Sequence, residues 1–120
     1  MSIEDRLADL GIDLPPVAKP VAAYVPAIQV GDQISTSGQL PLISGSLPMT
    51  GLVGDQISQE DAAGQARVAA LNALAAAADV AGGVNNIRRV IRVVVYVASA
   101  ADFTAQPAVA NGASELFGEI

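Results

Sequence analysis

Apolar residues recur at helical spacing in three parts of the chain. The longest part follows Ser58, a favourable N-cap, and carries an alanine-rich stripe to about Ala81. The glycine pair Gly82-Gly83 is a typical helix stop. Residues 3–10 predict a short helix, and residues 107–120 predict another that has a proline at its start. The pattern therefore predicts three helices.

Two strand-like segments precede the long helix. Residues 21–30 and 33–40 flank Gly31-Asp32, a two-residue turn signal, and predict an antiparallel hairpin. Pro26 cannot donate to a strand ladder, which places the first strand at a sheet edge or a bulge. Residues 41–55 are rich in Gly, Ser and Pro and predict a long loop, of the kind that is usually functional or mobile.

The hairpin turn determines which residues face each other. With two residues in the turn, Tyr24 lies opposite Gln39 and Pro26 lies opposite Ser37. Because side chains alternate across a strand, Tyr24, Ser37 and Gln39 then share one face. A hydroxyl-rich cluster is predicted on that face, on condition that the register is not shifted by one residue.

Residues 87–97 form the most strand-like stretch, which is β-branched through its second half. A nearly continuous apolar strand is typical of a sheet that is buried on both faces. One layer of helices covers only one face, so we expect another subunit to cover the second. No repeat or linker divides the sequence, and we expect a single domain over residues 1–120.

Composition excludes several kinds of chemistry. Without His or Cys, the chain cannot build a Ser–His–Asp triad, a Cys nucleophile or a zinc site with His or Cys ligands. A net charge of −6, with Lys19 the only lysine, disfavours nucleic-acid binding. The charged N-terminus is unlike a secretory signal, and the apolar residues 68–84 are mostly alanine. We expect a cytoplasmic protein with no metal and no nucleic-acid or membrane partner.

Three arginines near the start of the last strand form the one basic cluster of the sequence. Alternation places Arg88 and Arg92 on one strand face and Arg89 on the other. A strand-end arginine could bind a substrate carboxylate through two hydrogen bonds. We prefer the alternative that these arginines form surface or intersubunit ion pairs. For Arg67, on the long helix, we expect exposure to solvent or an ion pair.

Several strings, in order along the chain, resemble the RidA/YjgF family (endoribonuclease L-PSP-like). In chain order these strings are Ala23-Tyr24-Val25, Val30-Gly31-Asp32, residues 35–41 (Ser-Thr-Ser-Gly-Gln-Leu-Pro), Gln65-Ala66-Arg67, residues 92–97, Asp102-Phe103, and Asn111 with Glu115 and Phe117. The loop that follows Pro41 is longer than in the archetypal deaminases of the family. The resemblance is therefore to a divergent subgroup.

The resemblance implies a chorismate-mutase-like α+β subunit, in which two helices pack on one face of a mixed sheet. It also implies a barrel-like homotrimer with pockets between subunits, and it implies no metal or organic cofactor. In archetypal members a carboxylate-anchoring arginine and an acidic residue that positions water lie beyond the position of Ile120. We therefore expect the sequence to be a fragment that lacks the family's C-terminal strands, so the catalytic residues are unknown.

The resemblance also implies which residues contact a ligand. Tyr24, Ser37 and Gly38 match pocket positions, and Asn111 matches a helix residue near the pocket. The alternatives are an edge-strand tyrosine in water, a glycine that only permits close backbone approach, and a helix-surface amide, which we prefer for Asn111. Gln39 and Arg92 are weaker candidates, and Gln39 better suits hydrogen bonding on the sheet face.

Three functions are compatible with the sequence. The first, implied by the resemblance, is hydrolysis of reactive enamines and imines to ketoacids and ammonia in a cleft between subunits of a trimer. The second is a non-catalytic trimer that binds or senses a small carboxylate-bearing molecule. The third is the ribonuclease activity in the family's older label, which the acidic charge and the lack of His make the weakest choice.

Overall fold

The computed structural model describes residues 1–17 and 23–120 and contains an antiparallel hairpin and three α-helices. Strand β1 is Ala27–Val30 and strand β2 is Gln33–Thr36. Ala27 pairs with Thr36 and Val30 pairs with Gln33, so the predicted register is confirmed over these residues. Gly31 begins the two-residue turn at φ 60°, a conformation that glycine adopts without steric cost.

Both strands are shorter than predicted. The amide of Ser37 donates to the carbonyl of Pro26 at 2.9 Å, and the ladder stops there. Pro26 has no N–H with which to return a bond, so pairing does not extend to Tyr24 and Gln39. Of the remaining positions predicted as the first strand, residues 21 and 22 lie outside the described residues.

Helix α1, Ile3–Asp9, begins with a capping box. The Ser2 hydroxyl accepts from the Asp5 amide at 3.1 Å, and the Asp5 carboxylate accepts from the Ser2 amide at 3.3 Å. Its buried residue is Leu7. Glu4 and Asn85 exchange two hydrogen bonds of 3.0 and 3.1 Å, which tie α1 to the 3₁₀ turn Val84–Asn86.

Helix α2, Gln59–Ala81, has the predicted bounds. The Ser58 hydroxyl accepts from the amide of Asp61 at 3.1 Å, and Gly82 ends the helix in the left-handed conformation. Helix α3, Gln106–Glu119, packs along α2 and has a proline in its first turn, as predicted. Gly112 of α3 lies against the backbone carbonyl of Ala63 in α2, where a side chain would not fit.

The predicted strand over residues 87–97 does not pair with another strand in the described structure. The described sheet therefore has two antiparallel strands, and the expected mixed sheet is not formed. Within residues 1–17 and 23–120, no backbone amide of residues 88–97 donates a hydrogen bond to the chain. A strand ladder needs a neighbouring strand, and only a single bridge joins Val53 to Ser99 at the end of this segment. The α+β class is confirmed, whereas the trimer stays a prediction.

The core lies between α2 and its neighbours, the hairpin and α3. Val97 packs against a buried cluster around Val53 and Val109, and Val95 packs against a second cluster around Leu116. The alternate residues of the same segment stay in solvent, with Tyr96 93% exposed. Helices therefore cover one face of this segment only at its end, at Val95 and Val97, whereas residues 88–94 are exposed throughout.

Candidate functional site

A surface concavity of about 610 Å³ lies on the hairpin and is lined in part by Tyr24 and Ser37. The other lining residues are Ala23, Val25, Ala27, Ile28, Ser35 and Thr36. Local pairing explains the arrangement, because the bond from Ser37 to Pro26 sets the end of β2 beside the segment that carries Tyr24. Tyr24 and Ser37, which were predicted to share one face, therefore line the same concavity.

Hydrogen bonds hold the Ser37 hydroxyl in place. Its Oγ donates to the carbonyl of Pro26 at 3.3 Å and accepts from the Gln39 amide Nε2 at 3.3 Å. The same Nε2 lies 3.4 Å from the carbonyl oxygen of Ser37. Gln39 is thus a hydrogen-bonding residue that orients Ser37, which agrees with the interpretation preferred for it from the sequence.

Four predicted site residues do not line this concavity, namely Gln39, Gly38, Asn111 and Arg92. Gly38 is exposed, and a Cβ built on it would meet no atom within 4 Å, so close backbone packing does not explain this glycine. Asn111 is exposed on α3, and Arg92 is exposed in the unpaired segment. The roles of these residues, and of Tyr24 and Ser37, in ligand binding stay predictions.

Asn72, a residue that supports the candidate site, was not predicted from the sequence. Asn72 is 4% exposed in α2, and its Nδ2 donates to the carbonyls of Leu40 at 2.9 Å and Leu42 at 3.1 Å. It therefore fixes the chain just after Ser37-Gly38-Gln39. The available signal was the one amide within the apolar run of residues 68–78, since a buried amide needs partners.

The lining of the concavity is uncharged, and its polar groups are the hydroxyls of Tyr24, Ser35, Thr36 and Ser37 together with backbone groups. Such groups can orient a small polar molecule or a water by hydrogen bonds. Across residues 1–17 and 23–120 there is no group of three or more His, Cys, Asp or Glu side chains placed to hold a metal ion. None of the helices in the same residues is both long and apolar enough to cross a membrane.

The predictions for the basic residues had mixed outcomes. Arg67 forms an ion pair with Glu119, with 3.4 Å between the guanidinium and carboxylate atoms. Arg88, Arg89 and Arg92 form no ion pair within the described part of the chain. The preferred interpretation of a surface ion pair for these three is therefore not met inside one subunit, and pairing between subunits stays a prediction.

The hairpin and helices define an α+β subunit, and comparison with known proteins identifies its family. Residues 4–120 match the model of the family described as "YjgF/chorismate mutase-like, putative endoribonuclease". The chain belongs to this YjgF/chorismate mutase-like family, which confirms the resemblance drawn from the sequence.

Three relatives illustrate the similarity. A protein described as a "putative endoribonuclease" from Shewanella oneidensis MR-1 has a solved structure that superposes with a TM-score of 0.88 at 30% identity, covering 99% of this chain and 79% of that one. The solved structure of protein Atu1372 from Agrobacterium tumefaciens, described as of unknown function, superposes with a TM-score of 0.83 at 43% identity. The match covers 95% of this chain and 70% of that one. Protein TCP17 from Trypanosoma cruzi is 38% identical over 118 residues, which are 95% of this chain and 74% of that protein.

Proposed function

We propose that this protein hydrolyses small reactive enamines or imines to a ketoacid and ammonia, with the hairpin concavity as one wall of the reaction site. The observation that carries the proposal is that Tyr24 and a Ser37 hydroxyl oriented by hydrogen bonds line one concavity. Family membership supports it, because these two residues match pocket positions of the deaminases that the sequence resembles.

The reaction needs positioned water and hydrogen-bond donors rather than a strong base. Water adds to the C=N carbon of the imine, the nitrogen gains protons, and the C–N bond then breaks to release ammonia and leave a C=O group. Donors aimed at the developing charge stabilise the addition step. The Tyr24 hydroxyl is suited to this role, since it makes no hydrogen bond within the described residues and its side chain is part of an open wall.

The proposal includes assembly into a homotrimer whose subunits together close the site. Two observations support association. The amides of residues 88–97 have no hydrogen-bond partner in the described chain, and an exposed strand edge of this kind is a template for pairing with another strand. Large apolar side chains are also exposed on the hairpin and on the unpaired segment, including Ile28, Val30, Val94 and Tyr96. A carboxylate anchor for the substrate would come from outside the uncharged hairpin wall.

Activity is tested with 2-aminoacrylate generated in place by a dehydratase, with pyruvate release followed over time. The protein should accelerate release, and Ser37→Ala and Tyr24→Phe should each lower that acceleration by roughly tenfold or more. Ser114→Ala is the matched control, because Ser114 is an exposed hydroxyl on α3. If the unsubstituted protein gives no acceleration, the proposed activity is wrong for this substrate.

Assembly is tested separately by sedimentation equilibrium. We expect a trimer mass at micromolar concentration, and we expect Tyr96→Glu to shift the protein toward monomer by placing a charge in an apolar contact. Ala8→Glu, on the exposed side of α1, adds the same charge elsewhere and should leave the mass unchanged. A monomer mass for the unsubstituted protein contradicts the trimer.

A non-catalytic binding protein is the second candidate, and the uncharged lining of the concavity favours it, since no acid or base stands beside Tyr24 and Ser37. Calorimetric titration with 2-ketobutyrate distinguishes the two. Binding without any acceleration of pyruvate release supports the second candidate, whereas clear turnover rejects it. Ribonuclease activity gains no support from a chain of net charge −6.

A further inference from the structure

The hydroxyl of Ser37 has its one proton committed to a neighbouring residue. A serine hydroxyl offers a single O–H donor and two acceptor lone pairs. The Oγ of Ser37 donates to the carbonyl of Pro26 at 3.3 Å and accepts from Nε2 of Gln39 at 3.3 Å. The proton and one lone pair are therefore in use, so this oxygen can meet a ligand only as a hydrogen-bond acceptor.

Gln39 holds this arrangement through two contacts of its side-chain nitrogen. Nε2 donates to the Oγ of Ser37 and lies 3.4 Å from the carbonyl oxygen of the same residue. If the amide were turned over, its Oε1 would face that carbonyl oxygen, and neither atom has a proton to share. Gln39 therefore presents a donor to Oγ, which directs the serine proton toward Pro26. Ser37 and Gln39 are both half-buried, so water competes less for these bonds.

Ser35, which lines the same concavity, offers a contrast to Ser37. Its side chain is exposed and makes no hydrogen bond within the described part of the chain. A hydroxyl of this kind rotates to donate or accept as the ligand requires, so it does not select between the two. At Ser37 a ligand acceptor would have to displace the bond to Pro26, whereas a ligand donor adds a bond to the existing set.

We propose that Ser37 recognises an N–H group of the ligand and that Gln39 is the positioning residue that sets this preference. The inference rests on the proposed function and specifies its substrate. An enamine and an imine each carry at least one N–H, whereas the ketoacid has a carbonyl oxygen in place of that nitrogen and no donor there. The site therefore discriminates the nitrogen-bearing substrate from its product, because the product cannot make the bond to Ser37.

Oxamate and pyruvate form a matched pair of stable probes, since an NH₂ group of the first replaces a CH₃ group of the second at equal charge. Their dissociation constants are measured on the full chain from the amide shifts of residues 23–28 and 35–39 by nuclear magnetic resonance. Ser37→Ala should reduce the preference for oxamate over pyruvate by roughly fivefold, the equivalent of one hydrogen bond. Ser35→Ala, the matched control, should change both dissociation constants by the same factor.

Gln39→Leu tests the positioning role, because it frees the Ser37 hydroxyl to rotate and should also reduce the preference for oxamate. Gln29→Leu should not, since Gln29 is an exposed residue of β1 outside the lining. A general loss of structure would weaken both probes together and leave the preference unchanged.

The proposal is overturned if Ser37→Ala or Gln39→Leu keeps the full preference, if Ser35→Ala removes it, or if neither probe shifts the hairpin amides. Accelerated pyruvate release together with equal preference in all variants would reject N–H recognition and leave the proposed hydrolysis standing. A preference that depends on Ser37 without any acceleration would support N–H recognition and reject the hydrolysis, so the two failures are distinguishable.

Discussion

The hydrogen bonds of Asn72 provide a direct test of how the candidate site is supported. Asn72→Leu keeps a side chain of similar size in α2 but removes both donors, to the carbonyls of Leu40 and Leu42. Each neutral hydrogen bond contributes about 1 kcal/mol net, so the loss is about 2 kcal/mol, rising to about 3 kcal/mol if a carbonyl is left without water. The substitution also releases the chain that follows Gln39.

The loss can be measured by urea unfolding at one fixed subunit concentration, because association would otherwise change the apparent stability. With a slope of about 1–2 kcal/mol per molar urea for a chain of this size, the midpoint should fall by about 1–2 M at constant slope. Asn111→Leu is the control, since Asn111 is exposed on α3 and makes no side-chain hydrogen bond within the described residues. Equal midpoints for the two variants would refute the assignment of a structural role to Asn72.

Two further predictions concern helix packing and capping. Gly112→Ala should lower the free energy of unfolding by about 1–3 kcal/mol, because the new Cβ would meet the Ala63 carbonyl. Gly64→Ala, which has open space around it, should raise the free energy of unfolding by about 0.5–1 kcal/mol. Similar thermal midpoints for the two variants would contradict the packing argument. The Ser2 side chain, and then its backbone amide, lower the pKa of Asp5. The stabilisation from ionised Asp5 is therefore present above its unfolded pKa and is lost as pH falls through its folded pKa. Ser2→Ala should raise the pKa of Asp5 in a magnetic-resonance titration, and an unchanged value would exclude Ser2 as the main cause.

Local sequence signals were sufficient to predict the helices and the hairpin register. Ser58 and Gly82 mark the two ends of α2 through side-chain and backbone geometry that depends on adjacent residues alone. The two-residue turn at Gly31 similarly sets the pairing of Ala27 with Thr36 without reference to the rest of the fold. These features are short-range, which is why a pattern in the sequence predicts them.

Features that depend on distant residues were not predictable in the same way. The β-branched run of residues 87–97 has the composition of a buried strand, but a ladder needs a neighbouring strand that the sequence of the segment does not specify. Asn72 was overlooked because its partners, Leu40 and Leu42, lie at least 30 residues away in the chain. Within the candidate site, Tyr24 and Ser37 were predictable together because both belong to one hairpin.

The unpaired segment and the candidate site are both exposed to solvent in one subunit. Tyr24 is 42% exposed and Ile28, in the same concavity, is 51% exposed, so in one subunit the reacting groups would lie in water. Hydrogen bonds from hydroxyl groups stabilise a transition state weakly in water and more strongly where water is excluded. If one copy of the chain covered both the face that carries Tyr96 and the hairpin concavity, burial of the apolar surface and closure of the site would be a single event. Efficient hydrolysis would then require association of the subunits.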